Sequence, residues 1–419
     1  MTNDTTPSTA PVAPSDHRDY IIFIIFIAIL GSFSSLVNDM YLPAIPQMMR
    51  QYHTTPSMTQ LGISATMLGL GIGSVLWGSL SDRYGRRRIL LISLAIFVIG
   101  TLCAIFSPSI QLFDASRLIQ GIGAGGSMVL SYSIPADRYT GRNLAVIMSI
   151  VGALNGFVPA GAPLVGGFMT DDIGWKGIFI VLLIIGVLMW IWTTRRPESL
   201  PPSRRLQATG LKSYIHAYSG LMHNRRFMTY VLTKSIAIGL LFSYISSSPF
   251  IIQTHYGVTP SHFGMVLGGN AFALIIGSMM VARAKVIKHS LVCGGTVMCL
   301  GAIAEAIILW IDGGIIAYEI AIIPMLFGSG MVFASSNSLA MEEGRSDAGS
   351  ASAILNVIKY LFAAIVTPLA GLGDIMHSTA IVFLAVAAIS ALFIIAVSRL
   401  TPIPFGMVLG GNAFALIIG

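Results

Sequence analysis

The sequence predicts an all-α membrane protein with twelve transmembrane helices, arranged as six helices, a basic linker and six more helices. The first observation behind this prediction is composition. Of the 419 residues, 55% are hydrophobic and only 10% are charged, and the mean hydropathy is +0.81. Soluble globular domains carry roughly 25% charged residues. A soluble protein is therefore excluded, and the formal net charge of +7 does not indicate nucleic-acid binding.

The second observation is the number and length of the apolar stretches. A transmembrane helix needs about 20 predominantly apolar residues. Six such stretches precede a polar linker at 194–226, which holds three prolines and seven Lys or Arg residues, and six follow it. The predicted helices of the first half (20–193) are 20–43, 58–80, 89–107, 110–135, 143–169 and 177–193. Those of the second half (227–400) are 227–250, 261–282, 290–311, 314–339, 349–372 and 377–398.

The third observation is where the basic residues lie. Cytoplasmic loops of membrane proteins carry an excess of Lys and Arg. With a cytoplasmic N-terminus, the cytoplasmic segments hold 19 of the 24 Lys and Arg residues, and the outer loops hold only Arg50 and Lys176. Four of the 19 lie in one short turn, Gly78–Arg88. The sequence therefore predicts that both termini are cytoplasmic.

Both ends of the chain are predicted to lie outside this fold. Residues 1–19 are polar and rich in Pro and Thr, which indicates a disordered cytoplasmic segment, and no small-residue cleavage site follows the apolar stretch at Tyr20. The tail 401–419 is unusual because residues 405–419 repeat residues 263–277 letter for letter. Divergent structural repeats do not stay identical over such a length, so we interpret the repeat as an artefact.

Asp39 is the leading candidate for a functional charge inside the membrane. It lies in the first predicted helix, and Pro43 and Pro46 follow it and are expected to loosen the backbone. A carboxylate in a spanning helix is costly and usually faces a cavity or a partner. Such a group can exchange a proton when its surroundings alternate between wet and dry. The alternative is a residue that is simply solvated at the outer surface.

Arg117 is the second candidate. Asp114 lies three residues earlier on the same helical face and is expected to pair with it. Gln120 and Gly121, followed by three more glycines, give this helix a face of small residues that suits close packing inside a bundle. Arg117 is therefore predicted to point inward, and the alternative is that the pair only anchors the helix near the outer surface.

The fifth predicted helix is rich in Gly and Pro. Gly152 and Gly156 form a G-x-x-x-G step, and Pro159 and Pro163 each remove a backbone hydrogen bond. Close packing and local bending are what a helix that rocks between two positions requires. The pattern predicts a hinge, although ordinary membrane helices also tolerate Gly and Pro.

The remaining polar residues of the apolar stretches are candidates for a substrate cavity. Lys234, Glu305 and Glu319 are weaker candidates, because Lys234 can extend to the inner surface and Glu319 is expected near the outer end. If Lys359 faces the cavity, it attracts anionic or zwitterionic groups. The full set of predicted cavity residues is Asn38, Tyr41, Tyr132, Asn155, Tyr244, Asn270, Asn337, Asn356, Lys359 and Tyr360.

Nothing in the sequence indicates an enzyme, a cofactor or a metal site. The phosphate-binding pattern G-x-x-x-x-G-K-[ST] is absent, which argues against an ATP-driven pump. The eight histidines show no metal-binding spacing, and the three cysteines lie in apolar stretches. Protons are the only coupling ion that the residues suggest.

Five motifs together resemble the major facilitator superfamily, and within it the drug:proton antiporters of the bicyclomycin-resistance type. Arg117 with Gln120 and Gly121 is similar to the helix 4 motif, and 152–167 is similar to the helix 5 antiporter motif, although Gly161-Ala162-Pro163 departs from its usual order. The stretch N-D-M-Y-L-P-A-I-P at 38–46, and Trp175 with Phe179, resemble the bicyclomycin-resistance group. The superfamily's loop motif between helices 2 and 3 matches Gly78, Asp82, Arg83, Gly85, Arg86 and Arg87.

The resemblance implies a fold and roles. It implies two six-helix bundles with substrate bound between them, each built from inverted three-helix repeats. It makes Asp39 the proton-coupling acid and Arg117 its partner, and it makes Asp82 and the arginines that follow a cytoplasmic conformational latch. It further implies a monomer in the lipid bilayer of the bacterial inner membrane, whose partners are protons and a small-molecule substrate.

The sequence thus predicts a proton-coupled secondary transporter that exports small organic compounds of the drug or antibiotic type by alternating access. A dedicated exporter of a metabolite such as an amino acid, peptide or siderophore remains an alternative, as does a proton symporter that imports its substrate. A non-transporting membrane receptor is the alternative from another class. The charges inside the membrane argue against it.

Overall fold

The computed structural model describes residues 17–205 and 219–399, which in these ranges form helices and their connections. Most of the predicted disordered segment 1–19 lies outside the described residues, but residues 17–19 already belong to the first helix. The predicted tail 401–419, with its repeat, and residues 206–218 of the linker also lie outside them.

Twelve helices of spanning length and one short helix follow one another along the described chain. The helix Gly141–Thr194 is interrupted at Gly174, and we name its two parts α6 (141–173) and α7 (175–194). The helices of the first half are α1 (His17–Asp39), the short α2 (Ile45–Gln51), α3 (Pro56–Tyr84), α4 (Arg86–Ile105), α5 (Ile110–Arg138), α6 and α7. Those of the second half are α8 (Arg225–Ser248), α9 (Pro260–Val281), α10 (Ile287–Ile311), α11 (Ile315–Glu343), α12 (Ala348–Leu369) and α13 (Ile375–Arg399).

The prediction of twelve helices is confirmed, and length and hydropathy give a similar number of membrane spans. Ten of the described helical segments are long and apolar enough to cross a bilayer. One of the ten is the 54-residue segment that Gly174 divides. At 1.5 Å per residue it is about 80 Å long, more than twice the thickness of a hydrocarbon core. The helix missing from the ten is α5, which carries Asp114 and Arg117 and is rich in glycine.

The first predicted helix, 20–43, differs from the structure at its end. The helix α1 stops at Asp39, a 3-10 turn spans Leu42–Ala44, and α2 begins at Ile45. Pro43 and Pro46 explain this break, because a proline has no N–H to donate and its ring clashes with the preceding helical turn. The backbone is therefore interrupted next to the candidate proton-coupling residue, as the two prolines predict.

Two glycines make the sharp turns that a side chain would oppose. Gly85 joins α3 to α4 with a φ of 98°, and Gly174 joins α6 to α7 with a φ of 68°. Residues with a Cβ rarely adopt this left-handed region. The outer loop predicted between the fifth and sixth helices is therefore reduced to a single interrupted turn.

The helices α3 and α5 pack with their backbones in close contact. A Cβ built on Gly125 of α5 would lie 2.8 Å from the backbone nitrogen of Ser74, and one on Gly69 of α3 would overlap Leu118. Small residues at such a contact let two membrane helices approach closely. The face of small residues predicted around Gly121 is therefore a helix contact inside the bundle.

The two halves of the chain touch mainly at one end of the molecule. We name the two ends after Thr55 and Gly85, which flank α3 on opposite sides. The halves meet through α3 with α12 and through α6 with α9. Four hydrogen bonds between the halves join residues at the Thr55 end: Ser57 Oγ to Pro368 O (3.0 Å), Gln60 Nε2 to Ser246 O (3.0 Å), Gln253 Nε2 to Pro43 O (3.0 Å) and Ser261 N to Asp171 Oδ2 (3.1 Å).

Candidate functional site

Arg117 lies at the centre of a buried polar cluster, as predicted. Its side chain is fully buried, and Nη1 and Nη2 each donate to the carbonyl oxygen of Val37 over 3.2 Å. Nη1 also donates to Oε1 of Gln120, whose Nε2 in turn donates to Thr101 Oγ1 over 2.8 Å. We name Asn38, Asp39, Tyr41, Arg117 and Gln120 the Arg117 cluster. Neutral oxygens therefore solvate this buried cation.

Aromatic rings cover the rest of the guanidinium. The carbon Cζ of Arg117 lies 4.3 Å from the ring centroid of Tyr41 and 5.4 Å from that of Phe179. Trp175 packs edge-to-face on Phe179, and its indole donates to Gln51 Oε1 over 2.6 Å. A cation over a ring face is stabilised by the ring's electron density, more so away from water. The resemblance at Trp175 and Phe179 thus corresponds to a wall of the Arg117 cluster.

Asp39 belongs to this cluster but forms no ion pair with Arg117. It is the last residue of α1, its exposed fraction is 8%, and Oδ1 accepts a hydrogen bond of 2.8 Å from Asn38 Nδ2. Among the described residues, no carboxylate oxygen lies within 4.0 Å of the Arg117 guanidinium. Asp114 and Arg117 are close enough to interact electrostatically, but they form no direct ion pair in this conformation, in which the guanidinium donates to the Val37 carbonyl and to Gln120.

Two predicted cavity residues belong to this closed cluster. Tyr41 is completely buried beneath Arg117, and Asn38 is 3% exposed and turned toward Asp39. Neither lines an open cavity in this structure. The physical reason for the burial of Tyr41 is the guanidinium of Arg117, which stacks over the face of its ring.

Other predicted cavity residues form pairs across neighbouring helices nearer the middle of the molecule. Asn155 Nδ2 donates to Tyr132 Oη over 2.8 Å, and both side chains remain partly exposed. Lys234 Nζ donates to Asn337 Oδ1 over 2.7 Å. On α12, Lys359 Nζ lies 4.4 Å from the ring centroid of the neighbouring Tyr360. Asn356, which is half-buried, lies about one turn earlier on the same helix.

Tyr360 connects these pairs to Asp39. Its hydroxyl contacts the sulfur of Met128 on α5 at 3.2 Å, which brings α12 of the second half against the first half. It is also close enough to Asp39 and to Tyr132 for electrostatic interaction. The structure therefore brings the predicted acid and a subset of the predicted cavity residues to one region between the halves.

Tyr244 and Asn270 join a second buried polar cluster in the second half. Asn270 Nδ2 donates to Tyr244 Oη (2.9 Å) and to Glu319 Oε2 (2.7 Å), so Glu319, in the first turns of α11, takes part in a hydrogen-bonded cluster. Glu305 and Tyr318 lie beside them, both completely buried. We name these five residues the Glu305 cluster. Tyr244 also lines a cavity of about 60 Å³ between the halves, opposite Gly156, Pro159 and Pro163.

The predicted latch residues form an ion-pair network at the Gly85 end. Arg86 is 8% exposed; its Nη1 lies 2.6 Å from Asp82 Oδ1, and its Nε donates to Asp137 Oδ2 over 2.9 Å. Asp137, near the end of α5, was not among the predicted residues. Its position near a helix end that the sequence predicts to be cytoplasmic, opposite a loop with four arginines, is the signal that could have found it.

A second unpredicted acid, Glu198, tightens the same region. Its carboxylate accepts hydrogen bonds from the backbone N–H groups of Arg86 (2.8 Å) and Arg87 (3.3 Å) at the start of α4. Negative charge is favourable there because the first N–H groups of a helix are unpaired and its dipole is positive. Glu198 follows Pro197 in the linker, so the linker closes the network from the cytoplasmic side of the predicted topology.

The other motif residues have smaller roles in this conformation. Arg87 Nη2 donates to Thr194 O over 2.5 Å, and Arg83 is exposed with its guanidinium over the ring of Tyr84. A Cβ on Gly78 would make only an ordinary contact with Val129, whereas Gly85 makes the turn between α3 and α4. The described side-chain partners of Asp82 and Arg86 lie in the first half, and the backbone of Arg86 donates to Glu198 of the linker.

The fifth helix is packed differently from the prediction. A Cβ on Gly152 or Gly156 would meet nothing within 4 Å, so these glycines make no close helix contact here. The close contacts lie nearer the Thr55 end, where a Cβ on Gly166 would overlap the carbonyl of Met40. The helix remains regular through Pro159 and Pro163, and its break is at Gly174. The predicted G-x-x-x-G packing is therefore wrong for this conformation, because no neighbouring atom lies within 4 Å of a Cβ built on either glycine.

Solved structures with the same arrangement of helices define the class. The structure of a bacterial homologue of the human lysosomal transporter Spinster, in an inward-facing and unoccupied conformation, superposes with a TM-score of 0.70 at 13% identity, over 92% of this chain and 98% of that one. The molecule is therefore a multi-pass membrane protein with the fold of a transporter.

The sequence identifies the family. Residues 27–368 match the Major Facilitator Superfamily, and the chain belongs to that superfamily, as the motifs predict. It is 35% identical to the uncharacterized MFS-type transporter YdgK of Bacillus subtilis, over 85% of this chain and 91% of that protein. It is 24% identical to multidrug resistance protein D of Escherichia coli (82% and 87%) and 25% identical to a bicyclomycin resistance protein homolog of Haemophilus influenzae (58% and 62%).

Proposed function

We propose that this protein exports small organic compounds of the drug or antibiotic type in exchange for protons, by alternating access across the bacterial inner membrane. The observation that carries the proposal is Asp39. It is a nearly buried carboxyl group with a single donor, at the broken end of α1 and within electrostatic reach of Tyr360 from the other half. The names of two relatives, a multidrug resistance protein and a bicyclomycin resistance protein homolog, support export.

In the proposed topology both termini are cytoplasmic, and the Gly85 end is the cytoplasmic end. The distribution of Lys and Arg supports this orientation. The helix contacts support two bundles of six, because most contacts lie within α1–α7 or within α8–α13 and few pairs of helices join the two sets. The bundles would then act as the two bodies that rock about a central substrate site.

With this orientation the described conformation faces the cytoplasm. The halves are hydrogen-bonded at the outer, Thr55 end, whereas Gly152 and Gly156 of α6 have no neighbour within 4 Å of a built Cβ. In the outward-facing state the inner ends of the helices would close together. The ion pairs of Arg86 with Asp82 and Asp137 hold one half as a unit here, and a rearranged network would serve as the latch of the other state.

The two lysines favour a substrate that carries a negative or strongly polar group. Lys234 and Lys359 interact electrostatically with each other, and neither lies within 4.0 Å of a carboxylate among the described residues. Two like charges in a site of low polarity repel each other, and an anionic or zwitterionic group between them would relieve the repulsion. Asp39 on the opposite side would hold the exchanged proton.

A panel of compounds tests the direction and the substrate class together. Purified protein in proteoliposomes is given a proton gradient, and uphill accumulation is measured for anionic, zwitterionic, neutral and cationic compounds. We expect at least one compound to move against its gradient as protons move down theirs. Movement of substrate and protons in the same direction would indicate the symporter, and no transport of any compound, metabolites included, would favour a receptor.

A further inference from the structure

The Glu305 cluster contains an acidic side chain whose environment offers it no donor. Glu305 lies on α10 and is completely buried, and neither of its carboxyl oxygens has a hydrogen-bond partner among the described residues. The hydroxyl of Tyr318 and the Oε1 atom of Glu319 are also buried without a partner. A native structure leaves few buried polar atoms unpaired, so each one calls for a cause.

The groups around Glu305 make an ionised carboxylate there unfavourable. From α11 it faces Glu319 and Tyr318, and from α8 and the turn that follows it faces Tyr244 and Tyr256. The helix α13 also packs against α10, and His377 is an ionisable side chain near its start. None of these groups forms an ion pair with Glu305. Burying an unpaired carboxylate costs several kcal/mol, which a bound proton removes.

We propose that Glu305 and Glu319 form a second proton-binding site, in which Glu305 holds the proton in the described conformation. The two acids are not equivalent. Asn270 donates to Glu319 over 2.7 Å and favours a negative charge on it, whereas Glu305 has no such donor. Binding adds one proton to a carboxylate oxygen of Glu305, and release returns it to water, so no other reactant is needed.

The location of the site gives it access to the outer side in the other state. Glu305 lies less than two turns before the end of α10, and Glu319 lies in the first turn and a half of α11. The neighbouring Tyr244 lines the small cavity where α6 of the first half meets α8 and α9. When the halves separate at this end, water enters and can exchange the proton. A role of Glu305 in transport rests on the proposed function. The presence of a proton on Glu305 in this conformation does not.

Infrared difference spectroscopy tests the bound proton directly. A buried protonated carboxyl group gives a carbonyl stretch that ionised carboxylates lack and that shifts in D₂O. We expect Glu305→Gln to remove one such band at neutral pH, and Glu305→Asp to retain one. Glu342→Gln is the matched control, because Glu342 is exposed on α11. An unchanged spectrum in Glu305→Gln, with the protein folded, would overturn the proposal.

The same variants in proteoliposomes test the coupling. We expect Glu305→Gln to continue uphill transport with about one proton fewer per substrate, since a neutral amide imitates the protonated acid permanently. An unchanged proton-to-substrate ratio would overturn the role in coupling. If wild-type protein also moves no protons, the proposed function fails while the infrared result still stands by itself. A titration with Na⁺ provides a further test. If Na⁺ abolishes the carboxyl band, the cluster binds a metal ion, and the proposal of a proton site is overturned.

Discussion

The Arg117 cluster and the Glu305 cluster solve the same problem in opposite ways. Each places an ionisable side chain with no exposed surface inside a membrane helix. Arg117 is met by the Val37 carbonyl, by Gln120 and by two aromatic rings. Glu305 is met by another acid and by phenol hydroxyls, and neither of its oxygens has a partner. In the Arg117 cluster, protein groups replace the water that would surround the charge. In the Glu305 cluster, no described group replaces the water that an ionised carboxylate would need.

The difference indicates which groups can change their charge during a transport cycle. A cation solvated by fixed dipoles has little reason to lose its proton, since guanidinium is the least acidic of the protein cations. Arg117 is therefore a permanent charge that positions the end of α1. Among the residues that the structure describes, Asp39 is intermediate, with one donor and a small exposed fraction, and Glu305 has no donor. The acids, and not the arginine, are expected to exchange protons.

The largest predicted contrast is between the same kind of substitution in the two clusters. Arg117→Gln removes the guanidinium and leaves the Val37 carbonyl and Gln120 buried without their donor, at a cost of about 2–5 kcal/mol. Glu305→Gln replaces a neutral acid by a neutral amide of the same shape and should change stability by less than about 1 kcal/mol. Thermal unfolding in detergent measures both.

Arg117→Lys sharpens this contrast. Lysine keeps the positive charge but cannot donate in the planar fork to Val37 and Gln120. We expect it to recover only part of the stability lost in Arg117→Gln. Equal melting temperatures for Arg117→Gln and wild type would show that these contacts do not stabilise the cation. The contrast between the Arg117 cluster and the Glu305 cluster would then be wrong for the Arg117 cluster.

Helix packing beside Asp39 gives the next prediction. A methyl group at Gly166 would overlap the carbonyl of Met40, which directly follows Asp39. Gly166→Ala should therefore cost about 1–3 kcal/mol, as overpacking does. Gly156→Ala, on the same helix with nothing within 4 Å, is the matched control and should be neutral or stabilising by up to about 1 kcal/mol. Reversal of this order in thermal melts would contradict the described packing of α6.

The hinge proposal adds a transport test for Gly156. If the inner ends close in the outward-facing state, Gly156→Ala should slow transport without lowering the melting temperature, because the added methyl group obstructs only the closed position. Wild-type transport rates would remove Gly156 from the hinge. If a single methyl group is tolerated, the larger side chain of Gly156→Leu should still obstruct the closed position and slow transport.

The latch offers a cation that is paired with acids, unlike Arg117. Asp137→Asn removes one of the two carboxylates that hold the nearly buried Arg86 and should cost about 1–3 kcal/mol. Arg88→Gln, an exposed neighbour in the same loop, should be within about 0.5 kcal/mol of wild type. A melt of both variants decides whether Asp137 belongs to the network, and equal melting temperatures would exclude it.

An exposed acid outside the membrane gives the smallest expected effect. Asp374 precedes α13 and accepts hydrogen bonds from the backbone N–H groups of Met376 and His377. These bonds, with the His377 side chain, hold the pKa of Asp374 below its usual value. Its contribution is therefore present at neutral pH and is lost as the pH falls through the lowered pKa. Asp374→Ala should cost about 0.5–1 kcal/mol at neutral pH, and a difference that grows in acid would contradict this cap.

The sequence was sufficient for the helices because the signal for each one is local. Apolar length gave all twelve, and Pro43 and Pro46 marked the break after Asp39. The burial of Arg117 was also predictable, because the glycines around it allow only a helix contact. What the sequence could not give was its partner, since the Val37 carbonyl is a backbone atom that no residue pattern reveals.

The two unpredicted acids show where sequence reasoning stops. Asp137 and Glu198 reach Arg86 and the start of α4 from distant parts of the chain, and only the fold brings them together. Glu305 and Glu319 were recognised as acids in apolar stretches, but their closeness depends on how α10 and α11 face each other. The G-x-x-x-G step of Gly152 and Gly156 predicts close packing, but a pattern of residue types does not reveal whether another helix faces it.

The most direct measurement compares Asp39→Asn with wild type in proteoliposomes under an imposed proton gradient, using a compound that wild-type protein accumulates. Asp172→Asn is the control, because Asp172 is an exposed acid at the end of α6, just before the break at Gly174. The account predicts that Asp39→Asn folds, still exchanges labelled for unlabelled compound, and no longer accumulates it against a gradient. Uphill accumulation at the wild-type rate by Asp39→Asn would contradict the assignment of Asp39 as the proton-coupling residue.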